Sequence, residues 1–343
     1  MKDKMKKIKW KHFTNYIIVG LALVVFLIID ASGALSRGTN SILITVGINI
    51  ILAVSLNLVV GFLGELSLGH AGFMCIGAFV GKFASMQMAA LPVFVSFPIA
   101  IIVGGLTAAF FGFLIGLPTM RLRGDYLAIV TLAFGEIARN VILNLDFFGG
   151  AAGLKGDTNV TTYWLCFIFI LITLFVIQNL VRSRHGRAIR AIKNNDIAAR
   201  SIGINVTYYK LMVFIISAFF AGIAGVLYSH NLYVLKSSAF SYNKSIDILV
   251  FVVLGGMGSI TGSIIAATVL TVIPEMLSFL SEYRMLIYSV VLIGMMVANA
   301  SPKFNEFTTK VKDKIKKFVS DLFNKIKKAF SKKPKVGNGG IDK

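Results

Sequence analysis

Ten apolar stretches organise the chain: 16 to 29, 42 to 63, 71 to 91, 93 to 117, 126 to 145, 163 to 181, 211 to 235, 246 to 257, 264 to 280 and 285 to 300. A helix rising about 1.5 Å per residue can bridge a hydrocarbon layer of about 30 Å within most of them. Short alternating segments of the kind that builds a membrane β-barrel dominate nowhere. The pattern predicts an all-α polytopic membrane protein of about ten transmembrane helices. The stretch 246 to 257 is short and runs into Gly255-Gly256-Met257-Gly258. A broken or re-entrant segment there would lower the number of full spans to eight or nine. The first stretch follows lysines, as in a signal peptide, but no small-residue cleavage site follows Asp30, so an uncleaved span is expected.

Composition narrows this reading. Hydrophobic residues make up 56% of the 343 and charged residues only 15%, with a mean hydropathy of +0.80, which excludes an ordinary soluble enzyme. The net charge of +20 is not spread evenly. Residues 1 to 12 carry +5, residues 182 to 210 carry +6 and residues 303 to 343 carry +9, so the remaining chain is neutral overall. Basic segments confined to particular loops mark the cytoplasmic side of a membrane protein and do not form a nucleic-acid-binding face. Arg121 and Arg123 flag one more inside turn. The expected layout is a basic N-terminus over 1–15, a transmembrane domain over 16–302 and a Lys-rich tail over 303–343, with both termini cytoplasmic in the plasma membrane. Cys75 and Cys166 lie inside apolar stretches and the four histidines are scattered, so neither a disulfide framework nor a metal site is expected.

Two interruptions stand out. Leu66-Ser67-Leu68-Gly69-His70-Ala71-Gly72 joins the second and third stretches, and Val253-Leu254-Gly255-Gly256-Met257-Gly258-Ser259-Ile260-Thr261-Gly262 joins the eighth and ninth. Unwound backbone at membrane depth is tolerated only where protein or water satisfies it, so interrupted spans in both halves point to a transport pathway. Ser67, His70, Thr131, Glu136, Gly255 and Gly256 are its candidate residues. Glu136 and Arg139 are three apart and can pair on one helix face, so a structural pair and a pathway lining both remain open. Lys82 and Asp247 sit near the ends of their stretches and can snorkel. Glycines four apart, at Gly77 and Gly81 and at Gly112 and Gly116, predict close helix packing.

The segment 182 to 210 is long for a bundle connection. Ala188, Ile189, Ile192, Ile197, Ala198 and Ile202 give it a helical pattern, with Asp196 after Asn194-Asn195 as N-cap and Gly203 as C-cap of a short helix over 197 to 202. A short helix with apolar side chains outside the membrane needs a surface to bury them, either lipid headgroups or a cytoplasmic partner. The tail repeats apolar residues in steps of three and four from Phe304 to Phe330, which predicts a basic amphipathic helix, either lying on anionic lipid or docked against a cytoplasmic partner.

These motifs carry a resemblance. Gly64-Glu-Leu-Ser-Leu-Gly-His-Ala-Gly72, Leu117 to Ile137, Gly186 to Val206 and Val253-Leu-Gly-Gly-Met-Gly-Ser259 resemble, in order, the LivM-type permeases of branched-chain amino acid ABC transporters. The resemblance implies an importer with a second homologous permease, two cytoplasmic ATP-binding subunits and an extracytoplasmic substrate-binding protein. It also implies that the 186 to 206 loop, with Arg190, Asn195, Asp196, Ala198, Ala199, Arg200 and Gly203, couples to the ATPase. The Lys-rich tail departs from the family pattern. No G-x-x-x-x-G-K-[ST] motif occurs, so ATP would be used by the partner subunits and no cofactor is expected on this chain. Urea and short amides are alternative substrates within that reading. An ATP-independent secondary transporter is the rival from another class, and a membrane enzyme would have only Ser67 and His70 to work with.

Overall fold

A computed structural model describes residues 37–276, except 89, 120–121, 123 and 157–160, together with Ser289 and Ile293. The expected N-terminus 1–15, the span 16–29, Arg121 and Arg123, the end of the span 264–280, nearly all of the span 285–300 and the basic tail 303–343 lie outside the described residues. The chain divides into two compact units after Arg284, and every element named below belongs to the first.

Ten α-helices cover most of the described residues. They are α1 (Arg37–Asn57), α2 (His70–Gln87), α3 (Val93–Thr119), α4 (Asp125–Asn144), α5 (Tyr163–Arg182), α6 (Arg184–Asn194), α7 (Asp196–Ser201), α8 (Val206–Ser229), α9 (Tyr242–Gly255) and α10 (Ile260–Met276). The last turns of α1 widen into a π-helix over Leu58–Leu63. Five of these segments, 38–63, 93–119, 125–144, 163–182 and 206–229, are long and apolar enough to cross a membrane. Helix α2, at 18 residues, is a little shorter and carries His70 and Lys82, and α9 and α10 are shorter still. The protein is an all-α, multi-pass membrane protein.

Two kinds of contact hold the bundle. Helices α2, α3 and α8 meet through glycine: a Cβ on Gly222 would lie 2.7 Å from the Gly104 carbonyl oxygen, and one on Gly104 would lie 2.7 Å from that of Gly77. Such small residues let backbones touch, which favours association in lipid, where no hydrophobic force drives helices together. The central helix α1 packs on α10 by a polar seam instead. Asn49 Nδ2 donates to Thr271 Oγ1 at 2.9 Å and Asn57 Nδ2 donates to Ser263 Oγ at 3.0 Å, eight residues apart on each helix and in opposite order. That spacing is about two turns, so both asparagines share one face of α1.

The bundle end away from the α6–α7 loop is closed by chain crossings. Strands β1 (Leu154–Lys155) and β2 (Val234–Leu235) pair antiparallel there. Lys82 does not snorkel as expected. It is 2% exposed, and its Nζ donates to the carbonyls of Ser229 at 3.1 Å and Leu232 at 2.7 Å. The end of α8 supplies carbonyls without helical partners and a partial negative charge, and the ammonium satisfies both.

The loop between α5 and α8 holds two helices, not one. Ser183 caps α6 by accepting from the His185 and Gly186 amides. Asn195, not Asp196, caps α7, accepting from Ile197 N and Ala198 N at 3.0 Å each, and this displaces Asp196 to the first helical position. An extended residue with a short amide oxygen reaches those two amides, so the cap sits one residue earlier than expected. Gly203 ends the segment at φ +86°, as expected of a C-terminal glycine. Replacing Gly222 with leucine should overpack the α2–α3–α8 contact at a cost of about 1–3 kcal/mol or more. The thermal midpoint of the purified protein should fall by several degrees, and an unchanged midpoint would contradict the close approach.

Candidate functional site

Both interrupted spans end where their own glycines require it. The π-helical end of α1 stops at Gly64, which has φ +83°. Its amide and that of Glu65 both bond back to the Val59 carbonyl, at 3.0 and 3.2 Å. Residues 64–69 then run without regular structure to His70. The second interruption follows α9 at Gly256 and Gly258, at φ +87° and +86°. Ser259 restarts the chain, its Oγ accepting from the Gly262 amide at 3.2 Å. Left-handed backbone of this kind is open to glycine at little cost.

The two breaks lie against each other. Gly258 N donates to Asn57 Oδ1 at 2.8 Å, and a methyl group on Gly61 would overlap both Asn57 Oδ1 and Gly258 N. Asn57 is fully buried and uses both ends of its amide, one on Gly258 within the second break and one on Ser263 of α10 just after it. Each break is also fastened to neighbouring helices. Leu68 N donates to Thr131 Oγ1 at 3.0 Å, and Thr131 donates in turn to the Ala128 carbonyl. Ala71 N at the start of α2 donates to Ser245 Oγ of α9 at 3.1 Å. His70 Nε2 lies 2.8 Å from Ser55 Oγ of α1, and Ser217 Oγ donates to the Ser55 carbonyl at 2.7 Å. Glu65 forms an ion pair with Lys210 at the start of α8. Buried backbone without water must find such partners, and here mostly neutral hydroxyls, amides and an imidazole supply them.

Among the residues expected to line a pathway, Ser67, His70 and Thr131 gather at the first break, and Gly255 and Gly256 form the second. All but Gly255 and Gly256 are buried. Glu136 stands apart. Its Oε2 pairs with Arg139 at 2.8 Å, and its Oε1 accepts from Tyr242 N, the first amide of α9, at 2.9 Å. A carboxylate there offsets the positive end of the α9 dipole. Of the expected loop residues, Arg190 fastens α6 to α5 by donating from Nη2 to the Val181 carbonyl at 2.8 Å and from Nε to Gly186 at 3.2 Å. Asn195 is the cap of α7, Ala199 is buried beneath it, and Asp196, Ala198 and Arg200 lie on or near its outer side. The sequence reading missed Asn49, Asn57, Ser263, Thr271 and Lys244, whose Nζ donates to Asn49 Oδ1 at 2.9 Å. The spacing of Asn49 and Asn57 within an apolar stretch was a usable signal, because two amides eight apart share a face.

A family model described as branched-chain amino acid transport system / permease component matches residues 38–298. Over 297 residues the chain is 38% identical to the high-affinity branched-chain amino acid transport system permease protein LivM of Escherichia coli K12, with 76% of this chain and 69% of that protein covered. The Salmonella typhimurium LivM protein is 37% identical over the same length and coverage. The ribose import permease protein RbsC of Haemophilus influenzae is 25% identical over 280 residues, with 76% and 84% covered. No solved structure matches the chain.

The partners of Glu136 set an expectation for substitution. Glu136→Gln keeps an oxygen for Tyr242 N and loses only the ion pair, so the stability loss should be under about 1 kcal/mol. Glu136→Leu removes both contacts and should cost about 1–3 kcal/mol. Thermal melts of the two variants in one detergent check the order, and equal losses would contradict the helix-start contact.

Proposed function

The chain belongs to the branched-chain amino acid transport system permease family, and from that premise we propose that it is the membrane-spanning subunit of an ATP-driven importer of leucine, isoleucine and valine. It works beside a second homologous permease, two cytoplasmic ATP-binding subunits and an extracytoplasmic substrate-binding protein. ATP binds and is hydrolysed on the partner subunits. The chain itself breaks no bond, and its task is to open a route alternately to the two sides of the membrane.

The observation that carries this reading is the α6–α7 pair. Its inner face is fixed to the bundle through buried Ile189 and Ile192. Its outer face presents Ile197 and Ile202, 68% and 73% exposed, on a loop rich in arginine. Apolar side chains held out on a rigid, capped support suit docking into a groove of an ATPase. The +6 charge of residues 182–210 supports a cytoplasmic location for this end of the bundle, and an even number of crossings would then put both termini there. The basic tail would rest on the anionic inner leaflet. The route is proposed to open where the two breaks meet, bordered by Ser67, His70, Thr131, Gly255 and Gly256.

Similarity to a ribose import permease supports one scaffold serving several solutes, with selection made largely by the binding protein. Uptake into proteoliposomes holding the assembled complex should require ATP on the ATPase side and be inhibited by unlabelled isoleucine but not urea. Uptake that persists without the ATPase would instead indicate a secondary transporter. Ile197→Asp and Ile202→Asp touch no core contact, so the permease should insert and melt normally while its capture of the ATPase falls by about tenfold or more. Retained capture by both variants would count against docking at this face.

A further inference from the structure

One lysine of the α6–α7 loop reaches the broken end of α1. Lys193 sits in the last turn of α6, and its Nζ donates to the Gly61 carbonyl at 2.6 Å. Gly61 belongs to the π-helical turn just before the chain breaks, among the carbonyls that a stopping helix leaves without a continuing partner. The Gly61 peptide touches Asn57, and Asn57 in turn holds Gly258 within the second break and Ser263 in the first turn of α10 beyond it.

We infer that Lys193, the Gly61 carbonyl and Asn57 form the mechanical link through which displacement of α6 reaches both broken spans together. The N-terminal end of α6 gives it a firm base, because Ser183 caps it and Arg190, reaching back along the helix, bonds the Val181 carbonyl near the end of α5. A shift of α6 therefore bears on the π-helical end of α1, through the packing of Lys193 against Gly64 and through its bond to the Gly61 peptide. That peptide has no free space toward Asn57 or Gly258, so it cannot move without moving them. A π-helical turn suits the role, since it departs from the regular α-helical ladder and such turns recur at functional sites. Lys193 is a positioning residue: it contacts no solute and acts through the backbone of another segment.

The inference rests on the proposed ATP-driven reading, and the experiment separates the two. The complete complex in proteoliposomes is assayed for ATP hydrolysed per isoleucine imported. Lys193→Met keeps the length and removes the donor. It should leave ATPase capture and basal hydrolysis within about twofold of wild type while raising ATP used per isoleucine about fivefold, the equivalent of one net hydrogen bond at roughly 1 kcal/mol. Lys193→Arg keeps a donor and should restore most of the coupling. An unchanged ratio in Lys193→Met overturns the link, whereas a wild-type complex lacking ATP-dependent uptake counts against the functional reading itself. Should Lys193→Met fail to accumulate, the pair Gly64→Cys and Lys193→Cys offers a second test, at the expense of some backbone strain at Gly64. A Cβ at position 64 lies 3.7 Å from Lys193 Cβ, within the disulfide range of about 3.5–4.5 Å. Oxidised complex should couple and reduced complex should not, and a crosslink that blocks uptake would contradict a tie kept through the cycle.

Discussion

A helix that stops inside a bundle of apolar spans exposes backbone amides and carbonyls where there is no water to receive them, and the described residues hold two such stops side by side. The amide of Gly258 from the second stop goes to Asn57, and the carbonyl of Gly61 from the first goes to Lys193. Thr131 and Ser245 take the amides of Leu68 and Ala71 as the chain turns into α2. Each of these partners comes from a different element, so the breaks draw α1, α4, α6 and α9 to one region. Removing any one of them would leave a buried polar group unmet, which in lipid costs more than the bond itself contributes in water.

The rest of the bundle divides by the kind of contact it uses. Helices α2, α3 and α8 are in glycine-mediated backbone contact, which depends on shape alone and has no alternative partners. The α1–α10 seam is a register of amides and hydroxyls, and Lys244 reaches it at Asn49. Neutral groups of this kind cost less to bury than ions and can exchange partners as helices slide. The ionic contacts sit toward the bundle margins, Glu65 with Lys210 beside the loop and Glu136 with Arg139 at the start of α9. A firm block beside a re-registerable seam, with the α6–α7 loop tied to the broken end of α1, suits the alternating access proposed for this chain.

Much of this was legible in the residues. Apolar runs of helix length gave the spans, and glycine clusters placed both interruptions, because only a chain that must turn sharply within the bundle concentrates glycine there. The charge of residues 182–210 singled out the loop. Other features were not legible because they depend on what lies across the bundle. Lys82 reads as a residue near a span end, yet the carbonyls at the end of α8, almost 150 residues away in sequence, hold it buried. Asn57 shares a helix face with Asn49 in a long apolar run, a readable sign of a polar seam, but its hold on the second break follows only from the approach of Gly258. The cap of α7 was displaced by one residue because Asn195 and Asp196 are both good caps and the backbone at Asn195 is the extended one.

If α6 drives both breaks through the π-helical end of α1, the breaks respond as a unit. Amide hydrogen exchange over residues 64–69 and 256–259 in the assembled complex, with and without a non-hydrolysable ATP analogue, tests this most directly. The account predicts that protection changes in both segments on nucleotide binding and that Lys193→Met abolishes the change in both. A response confined to one segment, or one that survives in Lys193→Met, would contradict it.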